Sequence, residues 1–76
     1  MQERPLSEFK EGERGKIKKI TGDGILKKRL MEMGFTRGTE LEVVKYAPLT
    51  DPIECVLKGY HVSIRRDEAQ HVIMKK

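Results

Sequence analysis

The chain has 76 residues, with 16 Lys and Arg against 12 Asp and Glu for a formal charge of +4. Hydrophobic and charged residues each make up 37% of it, and its aromatic residues are two Phe and two Tyr, with no Trp. Such a chain can build one small core, which makes residues 1–76 a single domain, excludes doubly wound sheets and α/β barrels, and argues against a self-contained active site.

The opening run Met1-Gln2-Glu3-Arg4-Pro5 is charged and lacks the apolar stretch of a signal peptide. No apolar run approaches the roughly 20 residues a membrane-spanning helix needs. A single Cys55 cannot form an internal disulfide, so the fold does not depend on an oxidising compartment. The reading is of a soluble, cytoplasmic protein.

Leu6-Ser7-Glu8-Phe9 suggests one helical turn with Ser7 as its cap, stopped by Glu11-Gly12. Gly15 to Ile20 reads as a strand. Its apolar residues Ile17 and Ile20 are three apart, so a bulge or an early strand end is expected near Lys18-Lys19. Thr21-Gly22-Asp23-Gly24 is a turn with Asp23 as a helix N-cap. The period then changes: Leu26, Leu30 and Met33 fall at i, i+4 and i+7 with Ile25 beside them, while Lys27, Lys28, Arg29 and Glu32 take the other side. This predicts a helix over about residues 24–33, with Gly34 as its C′ residue.

Glu40 to Tyr46 returns to a period of two and reads as a strand. The loop Ala47-Pro48-Leu49-Thr50-Asp51-Pro52 follows. Ile53 to Leu57 and Tyr60 to Arg65 flank Lys58-Gly59, the signature of a tight hairpin in which 57 pairs with 60 and 53 with 64. That register gathers Ile53, Cys55, Leu57, Tyr60, Val62 and Ile64 on one face and Glu54, Val56, His61, Ser63 and Arg65 on the other. The first face is the core face, so Cys55 points inward. Arg66 to Gln70 can form a one-turn helix, and Val72-Ile73-Met74 a closing strand. The fold class is mainly β (small α+β): a five-stranded, partly open β-barrel with one inserted helix and short helical turns.

The charge is unevenly placed. Residues 1–38 hold ten Lys/Arg and six Asp/Glu, whereas residues 39–76 hold six of each. Between Arg14 and Arg29, the cations Arg14, Lys16, Lys18, Lys19, Lys27, Lys28 and Arg29 face only Asp23. A band of this kind meets phosphates, lipid headgroups or an acidic partner, or is simply a solvated face.

Soft metal ligands are few. No CxxC, HxxxH or HExxH spacing occurs, and the hairpin register puts Cys55 and His61 on opposite faces. His61 and His71 are the weak metal candidates, able to meet only if the last strand folds beside the hairpin; adventitious binding of Fe2+ or Zn2+ by a His with Glu54 or Asp67 is the remaining route. Cys55 reads as a small core hydrophobe. Ser7 and Ser63 lie in no nucleophile elbow, and the glycines form no nucleotide cradle, so the chain reads as no enzyme. The basic run Glu11 to Gly22 is similar to the opening of ribosomal small barrels, which makes an RNA-binding barrel one alternative. The helical pattern that follows and the lack of surface aromatics count against it.

Taken together, the motifs resemble one family. Leu6-Ser7, Gly12, Gly15, Ile17 and Ile20 lead into Arg29-Leu30-Met31-Glu32-Met33-Gly34-Phe35-Thr36-Arg37-Gly38-Thr39. The chain continues with Ala47-Pro48-Leu49-Thr50-Asp51-Pro52-Ile53, then Gly59-Tyr60, Ile64-Arg65 and Glu68-Ala69. The ordering is similar to that of the FeoA family, the small cytosolic component of bacterial ferrous iron uptake. The resemblance implies an SH3-like barrel acting by protein contact, with the membrane iron transporter FeoB as partner and membrane association through it. It also implies kinship with the C-terminal domain of DtxR-type metalloregulators, so regulatory binding linked to a transition metal is the other alternative. Thr50 departs from the glycine expected in the family's loop. The resemblance supplies neither a catalytic residue nor a metal ligand. The docking surface is expected at Tyr46, Leu49, Asp51 and Pro52 and on the helix face of Lys27, Lys28 and Glu32, because Tyr46 and Leu49 are apolar residues beside a proline-stiffened loop.

Overall fold

A computed structural model describes residues 3–46, 48 and 51–76. Six strands, β1 (Glu3–Pro5), β2 (Arg14–Ile20), β3 (Glu40–Tyr46), β4 (Ile53–Leu57), β5 (Tyr60–Ile64) and β6 (Val72–Lys75), accompany two helices, α1 (Gly24–Glu32) and α2 (Arg66–Ala69), and a 3₁₀ turn at Leu6–Glu8. The strands form one antiparallel sheet in the order β1-β6-β2-β3-β4-β5. With β1 and β5 at its two edges, the sheet is partly open, as the sequence predicts.

The hairpin is specified most tightly. Lys58 and Gly59 take φ of 53° and 80°, and positive values at both central residues are what a type I′ turn requires. Leu57 pairs with Tyr60, Cys55 with Val62 and Ile53 with Ile64. Ile53, Cys55, Leu57 and Ile64 are buried, and Val62 packs partly buried against them. Tyr60 is the exception at 71% exposure. It follows the turn directly and lies on an edge strand, with no further strand beside it to cover its ring.

The expected bulge is in β2. Against β6 the register shifts between Ile17 and Lys19, so Ile17 and Ile20 both enter the core while Lys18 and Lys19 both stay outside it. Close packing of β2 on β6 also needs Gly15. A Cβ there would lie 2.8 Å from the Lys75 carbonyl oxygen.

Helix α1 starts where Asp23 accepts a hydrogen bond from the Leu26 N–H at 2.8 Å, which satisfies one of the free donors of the first turn. Gly34, at φ +102°, follows its C-cap Met33. Leu30 is fully buried, with Leu26 and Met33 partly buried beside it. Ile25 falls one position off this stripe and is 83% exposed. The loop after α1 is pinned to β2 by Gly38 N–H donating to the Ile17 carbonyl at 2.7 Å and Ile17 N–H donating to the Thr39 carbonyl at 2.9 Å.

Two further expectations are corrected. The strand count is six, because Glu3, Arg4 and Pro5 pair with Lys75, Met74 and Ile73. Three residues including a proline carry no alternation that a pattern could reveal, and the pairing is to the far end of the chain. Ser7 lies inside the 3₁₀ turn and is buried, whereas Pro5, at φ −65°, occupies the cap position. Proline's fixed φ already sets the chain's entry into the turn, and no side-chain cap is made.

Candidate docking surface

Tyr46 ends β3 against the turn that leads into β2. Its backbone N–H donates to Glu11 Oε2 at 2.9 Å, and its hydroxyl donates to the Phe9 carbonyl. Burial of the phenol pushes its pKa up, with the Arg66 charge acting against that. Asp51 reaches the same corner: its Oδ1 accepts from the Arg66 N–H at 3.0 Å, serving a free donor at the start of α2. The next peptide bond, Asp51–Pro52, is cis, and Pro52 is exposed. Tyr46 and Arg66 line a depression of about 640 Å³ with Phe9, Lys10 and Glu11. Leu49, and Thr50 with it, lies outside the described residues.

Lys27, Lys28 and Glu32 line a different depression, of about 380 Å³, with Gly24, Met31 and Thr36. All three charged residues are exposed. On the flank of the same helix, Arg29 pairs with Glu68 of α2. The structure thus joins Tyr46 to Asp51 through Arg66, a residue the sequence does not signal, and sets Lys28 and Glu32 on a separate face that Lys27 shares with a neighbouring cleft.

The weak metal candidates are far apart in the sheet order. His61 is exposed on edge strand β5. His71, just before β6, is half-buried with its Nδ1 3.1 Å from Thr21 Oγ1. β6 pairs with β1 and β2, not with the hairpin, so the arrangement that would bring the two histidines together is not made. Cys55 is fully buried, and burial pushes its thiol up to about 12, which leaves it protonated and poorly nucleophilic. Among the described residues no group of three or more His, Cys, Asp or Glu is placed to hold a metal ion. Among them, too, no helix is long and apolar enough to cross a membrane.

A family model described as the FeoA domain matches residues 4–76. The chain belongs to the FeoA family. A curated relative, an Fe(2+) transport protein A/Fe(2+) transporter FeoB fusion protein of Porphyromonas gingivalis (strain ATCC BAA-308 / W83), is 40% identical over 67 residues. That match takes in 88% of this FeoA chain and spans 8% of the fusion protein's length. The solution structure of an FeoA-like protein from Clostridium acetobutylicum aligns with a TM-score of 0.91 at 31% identity, covering 99% of this chain and 87% of that one. Two more distant likenesses concern the fold alone. One is the Stenotrophomonas maltophilia FeoA complexed with zinc, described as a prokaryotic SH3 domain protein, with a TM-score of 0.79 at 23% identity over 92% of this chain and 87% of that one. The other is a manganese-dependent transcriptional repressor, with a TM-score of 0.86 at 18% identity over 95% of this chain and 40% of the repressor. The FeoA fold is therefore SH3-like, and it is shared with metalloregulators.

Proposed function

We propose that this FeoA domain is an accessory of ferrous iron uptake that docks on the cytoplasmic part of a FeoB-type transporter and acts by contact, without catalysis. The observation that carries the reading is the Porphyromonas gingivalis relative, in which a homologous segment is part of the same polypeptide as FeoB. Covalent linkage holds a domain at high effective concentration beside its target, which favours function between linked parts. In this reading ferrous iron is the transporter's cargo.

The exposed cations Lys27 and Lys28, with Glu32, present one docking face, and the loop of Tyr46, Leu49, Asp51 and Pro52 presents the other. Charge reversal at Lys27 and Lys28 combined with Leu49→Ser is expected to weaken co-purification with the transporter's cytoplasmic region by at least tenfold. Circular dichroism should show the fold unchanged, since Lys27 and Lys28 lie outside the core. Undiminished co-purification would overturn this placement. Failure of the unaltered domain to bind at all would overturn the contact itself.

A further inference from the structure

The bulge in β2 has a chemical consequence. In a regular strand Lys18 and Lys19 would point to opposite faces. With the register shifted between Ile17 and Lys19, both instead line a cleft of about 210 Å³ together with Lys27 of α1 and Arg37 of the following loop. Arg37 is carried there by the backbone bonds of Gly38 and Thr39 to Ile17. Lys18 pairs with Glu3, but Lys19, Lys27 and Arg37 have no carboxylate partner among the described residues. Among the described residues no acidic one lines the cleft; its other walls are Ile20, Met31 and Phe35. Met31, which also borders the helix-face depression, is 49% exposed.

We propose that this cleft takes the phosphate headgroup of an anionic lipid, so that the domain itself binds a phosphate-bearing bilayer surface. Three cations without a carboxylate partner among the described residues, Lys19, Lys27 and Arg37, complement a compact anion at a small opening. Several cations near a surface act together on anionic lipid. The apolar walls and the half-exposed Met31 fit a ligand whose charge is joined to hydrocarbon, as on an amphipathic face at a bilayer interface. An acidic protein surface would match the charge as well, and competition by poly-glutamate distinguishes it. The proposal goes beyond contact with the transporter and needs no transporter to be tested.

The test is co-sedimentation of the whole chain with vesicles of equimolar phosphatidylglycerol and phosphatidylcholine, and with vesicles of phosphatidylcholine alone. Binding is expected to the first only and to fall as salt is raised. Lys19→Gln, Lys27→Gln and Arg37→Gln together should weaken it roughly 100-fold, at about fivefold per charge. Met31→Ser should weaken it further at constant charge. Equal binding to both vesicles, no effect of salt, or wild-type binding by the triple variant would each overturn the proposal. So would poly-glutamate or free inorganic phosphate competing the protein off the vesicles at a charge concentration equal to that of the lipid. If the triple variant fails to fold, Met31→Ser, at a half-exposed position, takes its place, and wild-type binding by it would overturn the proposal. Because the vesicles contain lipid alone, a negative result leaves the transporter contact standing.

Discussion

Glu13 is where three separate segments meet. Its Oε2 accepts from Lys76 and, at 2.9 Å, from the Arg4 guanidinium, while its Oε1 accepts from the Lys10 N–H at 2.7 Å. The Arg4 guanidinium lies over the Phe9 ring, 4.8 Å from its centroid, so the same contacts hold β1, the 3₁₀ turn and the chain end in register. These donors, Lys76 first, then the Lys10 N–H and Arg4, draw the Glu13 carboxyl down from 4.5 to about 2. The unfolded chain then binds a proton that the folded one refuses between those two values, so stability rises with pH across that window. The contribution is complete above pH 4.5 and disappears as pH falls through about 2. Glu13→Gln should therefore be less stable than the natural chain near neutrality, with the gap closing between pH 4.5 and 2. Urea unfolding at a series of pH values measures this, and a gap that stays constant through the acid range would contradict it.

At the scale of elements, the sheet depends on one close approach. Gly15 has an ordinary φ, so it is required by space: a Cβ would meet the Lys75 carbonyl oxygen at 2.8 Å and the Phe9 ring at 3.4 Å. Gly15→Ala must push β6 from β2 and is expected to cost about 1–3 kcal/mol, as overpacking does. Gly24, at the start of α1, has nothing within 4 Å of its Cβ position. Gly24→Ala should leave stability unchanged or raise it by up to about 1 kcal/mol. Thermal unfolding of the pair checks both, and equal midpoints would sink the steric account. The same contrast explains what the sequence reveals. Helix α1 and the hairpin are legible because their signals are local: the i, i+4, i+7 stripe between Asp23 and Gly34, and the alternation about Lys58-Gly59. Even the β2 bulge shows, as the three-residue spacing of Ile17 and Ile20. Strand β1 is hidden because its partner is β6, at the other end of the chain. The Tyr46 corner is half legible. A proline-rich loop marks it as a candidate, but the binding of Asp51 to the Arg66 N–H, fifteen residues on, is a product of the fold that no periodicity carries.

For the whole molecule, the basic residues behind the +4 charge divide among separate surfaces. Lys28 and Glu32 belong to the outer face of α1, Lys19 and Arg37 to the cleft beside the bulge, and Lys27 lines both depressions. Exposed charges at the rim of a contact chiefly speed encounter, whereas apolar contacts chiefly slow dissociation. If the helix face steers docking, Lys27→Glu with Lys28→Glu should lower kon for the transporter's cytoplasmic region roughly tenfold at low salt, within the range electrostatic steering spans. Its effect should shrink as salt is raised, because exposed charges are screened beyond about 10 Å at 0.1 M salt. Leu49→Ser, at the loop, should raise koff with little change in kon. Lys19→Gln with Arg37→Gln should leave both constants unchanged for the isolated cytoplasmic region, since these cations line the cleft assigned to lipid. Surface-immobilised transporter domain and a stopped series of salt concentrations separate the three variants. A loss of kon in the Lys19 and Arg37 variant as large as in the helix variant would merge the two surfaces into one protein-binding face.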